Sequence, residues 1–428
     1  MTSTRGSSKP TSPEAVLAHI EPGADIVMPN ANGEPVELVN TLEEHADELR
    51  GVRIHQMQAL RERRYINGEF GDNLRYVSYF LSPASRKAYL TGQCDLMPCH
   101  FSEVPDLLRK STKCSLVIAA ASPPSRHGYF SLGTNCDYTA SLIGRAPFFL
   151  EANAQMPRTF GGNQVHISQV AGWTEVDYPL IEAHPVPASD KDRAIAALVA
   201  ERIPDGATIQ AGIGGMPNAL LAMLADHREL GIHTELLSDG VVDLVEAGVA
   251  TGTRKVLRRG KVVATFALGS QRLYDFLHEN SVVDFTPVDW VNDPRVIARE
   301  PNFVAINATT EVDFYGQCAS ETVAGNYFSS SGGQYDFARG AMYSDGGQAF
   351  IVLNATTRDG KMSKIRPTLT PGSVVTTSKN TVDKIVTEFG VTELRGKTLR
   401  ERAQALIAIA DPRFRDELSA AARQMALI

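Results

Sequence analysis

One pattern occurs twice in this chain, and it limits the possible architecture more than any other feature of the sequence. Residues 23–28 (GADIVM) lead through a helical stretch ending at 46–50 to a second apolar run at 51–57 (GVRIHQM). In the second half, residues 206–211 (GATIQA) lead to 227–230 and then to 231–236 (GIHTEL). Both copies read strand, turn, helix, strand. A helix between two strands is the connection that parallel neighbours require. Elsewhere short apolar runs, 114–121, 262–267 and 303–308, alternate with helix-like stretches at 191–202, 218–226 and 400–410, the last ending at Asp411-Pro412. The expectation is an α/β protein of two related domains with mostly parallel sheets, produced by internal duplication. At 428 residues the chain is longer than one core usually supports. The boundary is placed in the Pro- and Ser-containing stretch 183–190 (AHPVPASD), giving domains 1–185 and 186–428.

Composition removes several function classes. A net charge of −7 does not suit a nucleic-acid binder, which needs a basic surface. No apolar run is long enough for a membrane helix. Residues 1–13 are polar and read as a frayed lead-in without a secretory signal, so the protein is expected in the cytoplasm. The five cysteines, Cys94, Cys99, Cys114, Cys136 and Cys318, then read as reduced, buried and inert. Cys94, Cys99 and His100 superficially suggest a metal site, but no second pair stands at a zinc spacing.

The two copies differ where chemistry would sit. The second carries a glycine loop, Gly212, Ile213, Gly214, Gly215 and Met216, followed by Pro217; the first has residues 29–33 (PNANG). A glycine loop between a strand and a helix aims backbone N–H groups at an anion, such as a phosphate or an oxyanion, although the same residues serve equally well as a tight turn. The loop begins G-x-G and an acid follows at Glu235, as in a dinucleotide site, yet Pro217 occupies the place of the third glycine. Glu235 ends the next strand, where the first copy has Met57. Strand ends beside glycine turns are where α/β folds place their sites, and a carboxylate there can attack an acyl centre. Only the second half is expected to be chemically competent.

Segments spread over nearly the whole chain resemble one family. They are 122–133 (SPPSRHGYFSLG), 153–161 (NAQMPRTFG), 209–220 (IQAGIGGMPNAL), 231–243 (GIHTELLSDGVVD), 288–298 (VDWVNDPRVIA), 306–317 (INATTEVDFYGQ), 332–340 (GGQYDFARG) and 387–396 (TEFGVTELRG). Their order and number make the sequence similar to the acetyl-CoA hydrolase/transferase family, in its 4-hydroxybutyrate and butyryl CoA-transferase branch. The resemblance implies a CoA-transferase-like α/β fold and a covalent glutamyl-CoA thioester on Glu235. The enzyme would move CoA between a small acyl-CoA and a small carboxylate, with CoA as substrate, no permanently bound cofactor and no metal.

It further implies roles for the loop Gly212, Ile213, Gly214, Gly215 and Met216, with an oxyanion N–H near Met216. Asn307 would be a second CoA contact, and the segment containing Ser330, Gly332 and Gly333 would supply another oxyanion N–H. Ser330 departs from the pattern, since relatives tend to have glycine there; a positive φ at this position would strain it. Among secondary residues, Glu388 is expected near the nucleophile, orienting the incoming carboxylate. Glu311 is expected to stabilise a turn, and Asn292 to cap the turn at Asp293-Pro294, with a catalytic contact as the alternative. His55, His127, His166 and His233 are expected in packing or hydrogen-bonding roles; Arg158 and Arg339 remain unassigned. Hydrolysis of acyl-CoA and non-catalytic acyl-CoA binding are the competing readings. A homodimer is the default assembly.

Overall fold

The computed structural model describes residues 9–184 and 186–428. The chain divides into two compact units, residues 1–184 with 263–291, and residues 185–262 with 292–428. The single boundary expected at 185/186 does not provide for the segment 263–291, which returns to the first unit. There the Thr265 carbonyl accepts the N–H groups of Cys136 and Asp137, and the Phe285 carbonyl accepts that of Gly162. These bonds join positions far apart in sequence, which strand-scale periodicity cannot register.

In the first unit, β1 (Asp25–Val27), β2 (Val52–Gln56), β3 (Leu74–Ser78), β4 (Asp95–Leu96), β5 (Leu116–Ala121), β6 (Phe148–Asn153) and β7 (Val170–Val176) form one sheet. Its order is β4-β3-β2-β1-β5-β6-β7 with every pair parallel. Helix α1 (Val36–Glu44) makes the crossover from β1 to β2. The lead-in is tied down sooner than expected: Thr11 donates its N–H and its hydroxyl to the Trp173 carbonyl. Residues 1–8, the rest of that stretch, lie outside the described residues, as does Pro185 in the linker.

The second unit contains α2 (Asp190–Ala200), β8 (Thr208–Ala211), α3 (Gly215–Met223), β9 (Gly231–Leu237), β10 (Phe303–Ala308), α4 (Gln334–Tyr343), β11 (Gln348–Val352), β12 (Lys384–Thr387), β13 (Gly390–Glu393) and α5 (Leu399–Ala408). Its strands run β9-β8-β10-β11-β12-β13, parallel except for the last pair. The order β9-β8-β10-β11-β12 repeats β2-β1-β5-β6-β7, so the pattern seen twice in the sequence is also met twice in the topology. The central strands are continuous apolar runs: β5 is LVIAAA and buried throughout, and β10 begins FVAI, also buried. Such runs suit parallel strands covered on both faces.

Helix ends follow local chemistry. Ser189 caps α2 by accepting the Asp192 N–H at 3.2 Å, while the Asp192 carboxylate accepts the Ser189 N–H at 2.9 Å. Thr398 and Glu401 make the same reciprocal pair on α5. Helix α3 starts at Gly215, three residues before the expected Asn218, and so includes Pro217 in its first turn. Proline is tolerated there because the first N–H groups of a helix have no partner within it. Helix α5 packs Ala403, Leu406 and Ile407 with Ile351, Leu353 and Ile385 into one core.

Among the described residues the five cysteines are free thiols. Cys94, Cys136 and Cys318 are buried; Cys99 and Cys114 are only partly so, which departs from the expectation. No helix is long and apolar enough to cross a membrane, and no group of three His, Cys, Asp or Glu side chains could hold a metal ion, among the described residues.

Helix α4 is pressed closely onto the chain before β10. A Cβ at Gly340 would lie 2.5 Å from Ile297 Cβ and Cγ2. Alanine raises helix propensity by about 1 kcal/mol over glycine, so propensity alone favours Gly340→Ala. Overpacking opposes it, and we expect that variant to lose about 1–3 kcal/mol of stability in denaturant titration.

Candidate active site

The register of three adjacent strands builds the site. β8 pairs Thr208 with Gly231 and Ile209 with Ile232, which continued along the strands sets Gly212 beside Glu235. The Thr234 hydroxyl donating to the Ala211 carbonyl at 3.2 Å holds that continuation. β8 also pairs Ala211 with Ile306, setting Gly212 beside Asn307. Glu235, Gly212 and Asn307 therefore share one row at the C-terminal ends of parallel strands. Residues in one row project to the same face of a sheet.

Helix α4 lies on that face. Phe337 stacks on Phe303 with centroids 6.1 Å apart, and the His233 ring packs edge-on against both. His233, expected in a packing or hydrogen-bonding role, is thus part of the packing that seats α4. His55 likewise bonds Tyr79 and Asp25, and His166 bonds Ser168. Seating α4 brings its N-cap, Gly333, onto the Glu235 carboxylate. A Cβ there would lie 2.0 Å from Glu235 Oε2 and 2.3 Å from Asn292 Nδ2, so the position admits only glycine. The Gly333 N–H donates to Glu235, at the end of the helix whose dipole favours negative charge.

Asn292 supplies the second donor. Its Nδ2 lies 2.7 Å from Glu235 Oε2, and the residue is fully buried. The amide must face the carboxylate with its nitrogen, because two oxygens would repel. The expected capping role belongs instead to Asp293, whose carboxylate accepts the Arg295 N–H at 2.8 Å and starts the short helix Pro294–Ile297. Burial of the Glu235 carboxyl dominates its acidity and raises its pKa to about 7; the bonds from Asn292 and Gly333 pull the other way without cancelling it.

Around this centre the other residues sort themselves. Gly214 takes φ 126° and ψ 177°, a conformation open to glycine alone, and lets the loop turn into α3. Gly215 and Met216 then present N–H groups of the helix's first turn. Met216 is buried and Ile213 is half exposed. Asn307 is fixed by Gln210, whose Oε1 accepts the Asn307 amide at 3.1 Å and the Ile306 N–H at 3.2 Å. Gln210 was not singled out from the sequence, although a glutamine inside the run TIQA is an available signal. Ser330 is buried and is not among the residues with positive φ, so the strain considered for it does not arise; Gly332 takes the left-handed conformation at φ 53°.

Glu311 accepts from the Thr370 N–H and hydroxyl and from the Ser373 hydroxyl, joining the strand Glu311–Asp313 to a turn. Arg339 lies over the Tyr343 ring on α4, and Arg158 donates to the Tyr129 carbonyl in the first unit. Glu388 does not adjoin Glu235. It follows β12, four strands from β9, a width of about 19 Å of sheet. Its carboxylate pairs with Lys191 at 2.8 Å and accepts the Ala355 N–H at 2.8 Å.

Comparison with known proteins identifies the family of the chain. Residues 5–188 match the acetyl-CoA hydrolase/transferase N-terminal domain and residues 269–422 the C-terminal domain of the same family. The chain is 42% identical to the 4-hydroxybutyrate coenzyme A transferase of Clostridium kluyveri over 95% of each chain. It is 43% identical to the succinyl-CoA:cyclohexane-1-carboxylate CoA transferase of Geobacter metallireducens, covering 97% of this chain and 95% of that one. The crystal structure of RipA from Yersinia pestis superposes with a TM-score of 0.93 over 98% of both chains at 36% identity. With the mixed α/β architecture, its mostly parallel sheets and both family domains in order, this chain belongs to the acetyl-CoA hydrolase/transferase family.

Proposed function

We propose that the chain is an acyl-CoA:carboxylate CoA-transferase that works through a covalent thioester on Glu235. Transfer of CoA between an acyl-CoA and a carboxylate is what the names of its relatives from C. kluyveri and G. metallireducens describe. The observation that carries the mechanism is a desolvated carboxylate with one oxygen held by the Asn292 amide and a helix N-terminus against it.

The Glu235 carboxylate attacks the thioester carbonyl, the C–S bond breaks, and CoA leaves as thiolate from a mixed anhydride. The thiolate attacks the glutamyl carbonyl, the anhydride C–O bond breaks, and the first carboxylate departs, leaving glutamyl-CoA. An incoming carboxylate attacks that thioester and the same two steps run in reverse. Each transition state puts negative charge on a carbonyl oxygen. The Gly333 N–H and an N–H near Met216 are the donors proposed for it. Carboxylate and thiolate alternate as nucleophile and leaving group, so no proton need move and the scheme calls for no resident cofactor. Desolvation makes the carboxylate a stronger nucleophile, and the donors keep enough of it ionised near neutrality. Small carboxylates such as acetate, propionate, butyrate and 4-hydroxybutyrate are the proposed acceptors. A cytoplasmic homodimer is the proposed setting, as the commonest closed assembly of a soluble enzyme.

Three outcomes are expected. Incubation with acetyl-CoA followed by borohydride reduction labels the peptide containing Glu235, read by mass spectrometry. Glu235→Gln loses exchange of label between acetyl-CoA and acetate to background; parental exchange in that variant removes the nucleophile assignment, and CoA release without exchange marks a hydrolase instead. Because the native pKa is raised to about 7, ionising Glu235 costs stability as pH rises from its unfolded value of 4.5 through 7. Glutamine carries no such cost, so the melting temperature of Glu235→Gln should gain on the parent between about pH 5 and pH 8.

The raised value also orders the pH profile. kcat/KM should rise with pH through about 7 as the nucleophile ionises. Asn292→Ala removes a hydrogen bond to an ionised group, worth about 1.5–3 kcal/mol, and should move that limb up by about one to two pH units. A limb that stays in place would show that the amide does not act on the carboxylate's acidity.

A further inference from the structure

The donor that reaches Glu235 from α4 is the residue least able to hold its own aim. Gly333 must lack a side chain, because a Cβ would lie 2.0 Å from Glu235 Oε2, and glycine has the widest backbone freedom of any residue. A hydrogen bond weakens steeply as its N–H turns away from the acceptor. Stacking of Phe337 on Phe303 seats the helix one turn further on. Its first residue needs a hold of its own.

That hold comes from segment 370–377 (TPGSVVTT), which follows the loop leading to Gly333. At one end the Glu311 carboxylate accepts from Thr370 and Ser373. Next, Pro371 and Gly372 abut the tip of the hairpin formed by Thr322–Val323 and Asn326–Tyr327. A Cβ at Gly325 would lie 2.3 Å from the Pro371 carbonyl oxygen, and one at Gly372 would lie 2.8 Å from that of Gly325. The Val374 N–H donates to the Thr322 hydroxyl at 3.4 Å. The Thr376 hydroxyl accepts the Ser320 N–H at 2.9 Å and donates to the buried Glu321 carboxylate at 3.0 Å. The Glu321 carbonyl accepts the N–H groups of Phe328 and Ser329, closing the hairpin where the chain leaves for Gly333. At the far end the buried Thr377 hydroxyl accepts the side-chain amide of Gln334 at 3.1 Å. Gln334 is the first residue of α4 and shares a peptide bond with Gly333.

We propose that segment 370–377 is a strap that aims the Gly333 N–H at Glu235, with Thr377 and Gln334 as positioning residues for the transfer reaction. Thr377 acts through Gln334, and Gln334 through the backbone it shares with the glycine. A reacting group serves only if its supports hold it within about 0.5 Å of the productive geometry. Here the support is a buried side-chain bond between residues 43 apart in sequence, which supplies the rigidity that glycine lacks. In the CoA-transferase reading, on which this rests, the same N–H also faces the negative charge of each transition state.

The test uses the full-length protein and two substitutions that break the same bond from either side, Thr377→Val and Gln334→Leu. A carbon NMR titration of glutamate-labelled protein follows the Glu235 carboxyl, assigned by the resonance lost in Glu235→Gln, and reads the donor whatever reaction the enzyme performs. Both substitutions should raise the Glu235 pKa by about half to one pH unit, since a turned N–H stabilises the carboxylate less. Thr377→Ser keeps the hydroxyl and should restore the parental value. In transfer from acetyl-CoA to propionate, measured above both pKa values, kcat should fall about ten- to hundredfold with KM within about twofold. An unmoved titration, or a parental kcat in both variants, overturns the proposal; a lowered melting temperature beside it would mark the strap as structural. A moved titration in a protein whose parent transfers no CoA would remove the transferase reading and leave the aim of Gly333 standing.

Discussion

The Glu235 carboxylate is driven toward its neutral form by the protein around it and drawn back toward the ionised form by two donors, the Asn292 amide and the Gly333 N–H. That balance sets how much of the carboxyl is ionised near neutrality. A carboxylate fully solvated at a strand end would be a weak nucleophile with an ordinary pKa, and one buried without donors would stay protonated at neutral pH. Here burial wins by a limited margin, leaving the group at about 7, where a substantial fraction is charged yet poorly solvated.

Most of the second unit can be understood as the means of keeping those donors in place. Gly333 reaches Glu235 only because α4 is seated by the stacking of Phe337 on Phe303 and by the His233 ring. Asn292 reaches it because Asp293 starts a short helix directly after it, against which Gly340 lets α4 pack. Two glycines in one helix, one at its cap and one facing Ile297, permit approaches that any side chain would block. The sheet does the rest. Parallel pairing of β9, β8 and β10 puts Glu235, the glycine loop and Asn307 in one row, and Gln210 locks the last of these.

Several of these relations were legible in the residues. The repeated strand, turn, helix, strand pattern forecast the parallel order met in both units, and the glycine loop with Glu235 after it pointed to the strand ends that the register sets side by side. Others could not be read. Asn292 precedes Asp293-Pro294 and so resembles a cap in sequence, yet the adjoining aspartate takes that role and frees the amide. Glu388 sits in a matching segment but four strands away from Glu235, where Lys191 claims it. Segment 263–291 lies between residues of the second unit and packs with the first, through main-chain bonds that leave no trace in side-chain pattern.

By itself the sequence determined what is local or periodic: which runs are buried strands, where capped helices begin, which turn needs glycine, and which half retains an acid at a strand end. These follow from backbone conformation and apolar spacing within a few residues. Only the tertiary structure decided which distant groups meet the Glu235 carboxylate, how far burial shifts its acidity, and which charge pairs with Glu388. Those outcomes depend on strand register and on one helix lying against a sheet. Desolvation and hydrogen bonding act through space, between residues whose separation along the chain says nothing about their distance.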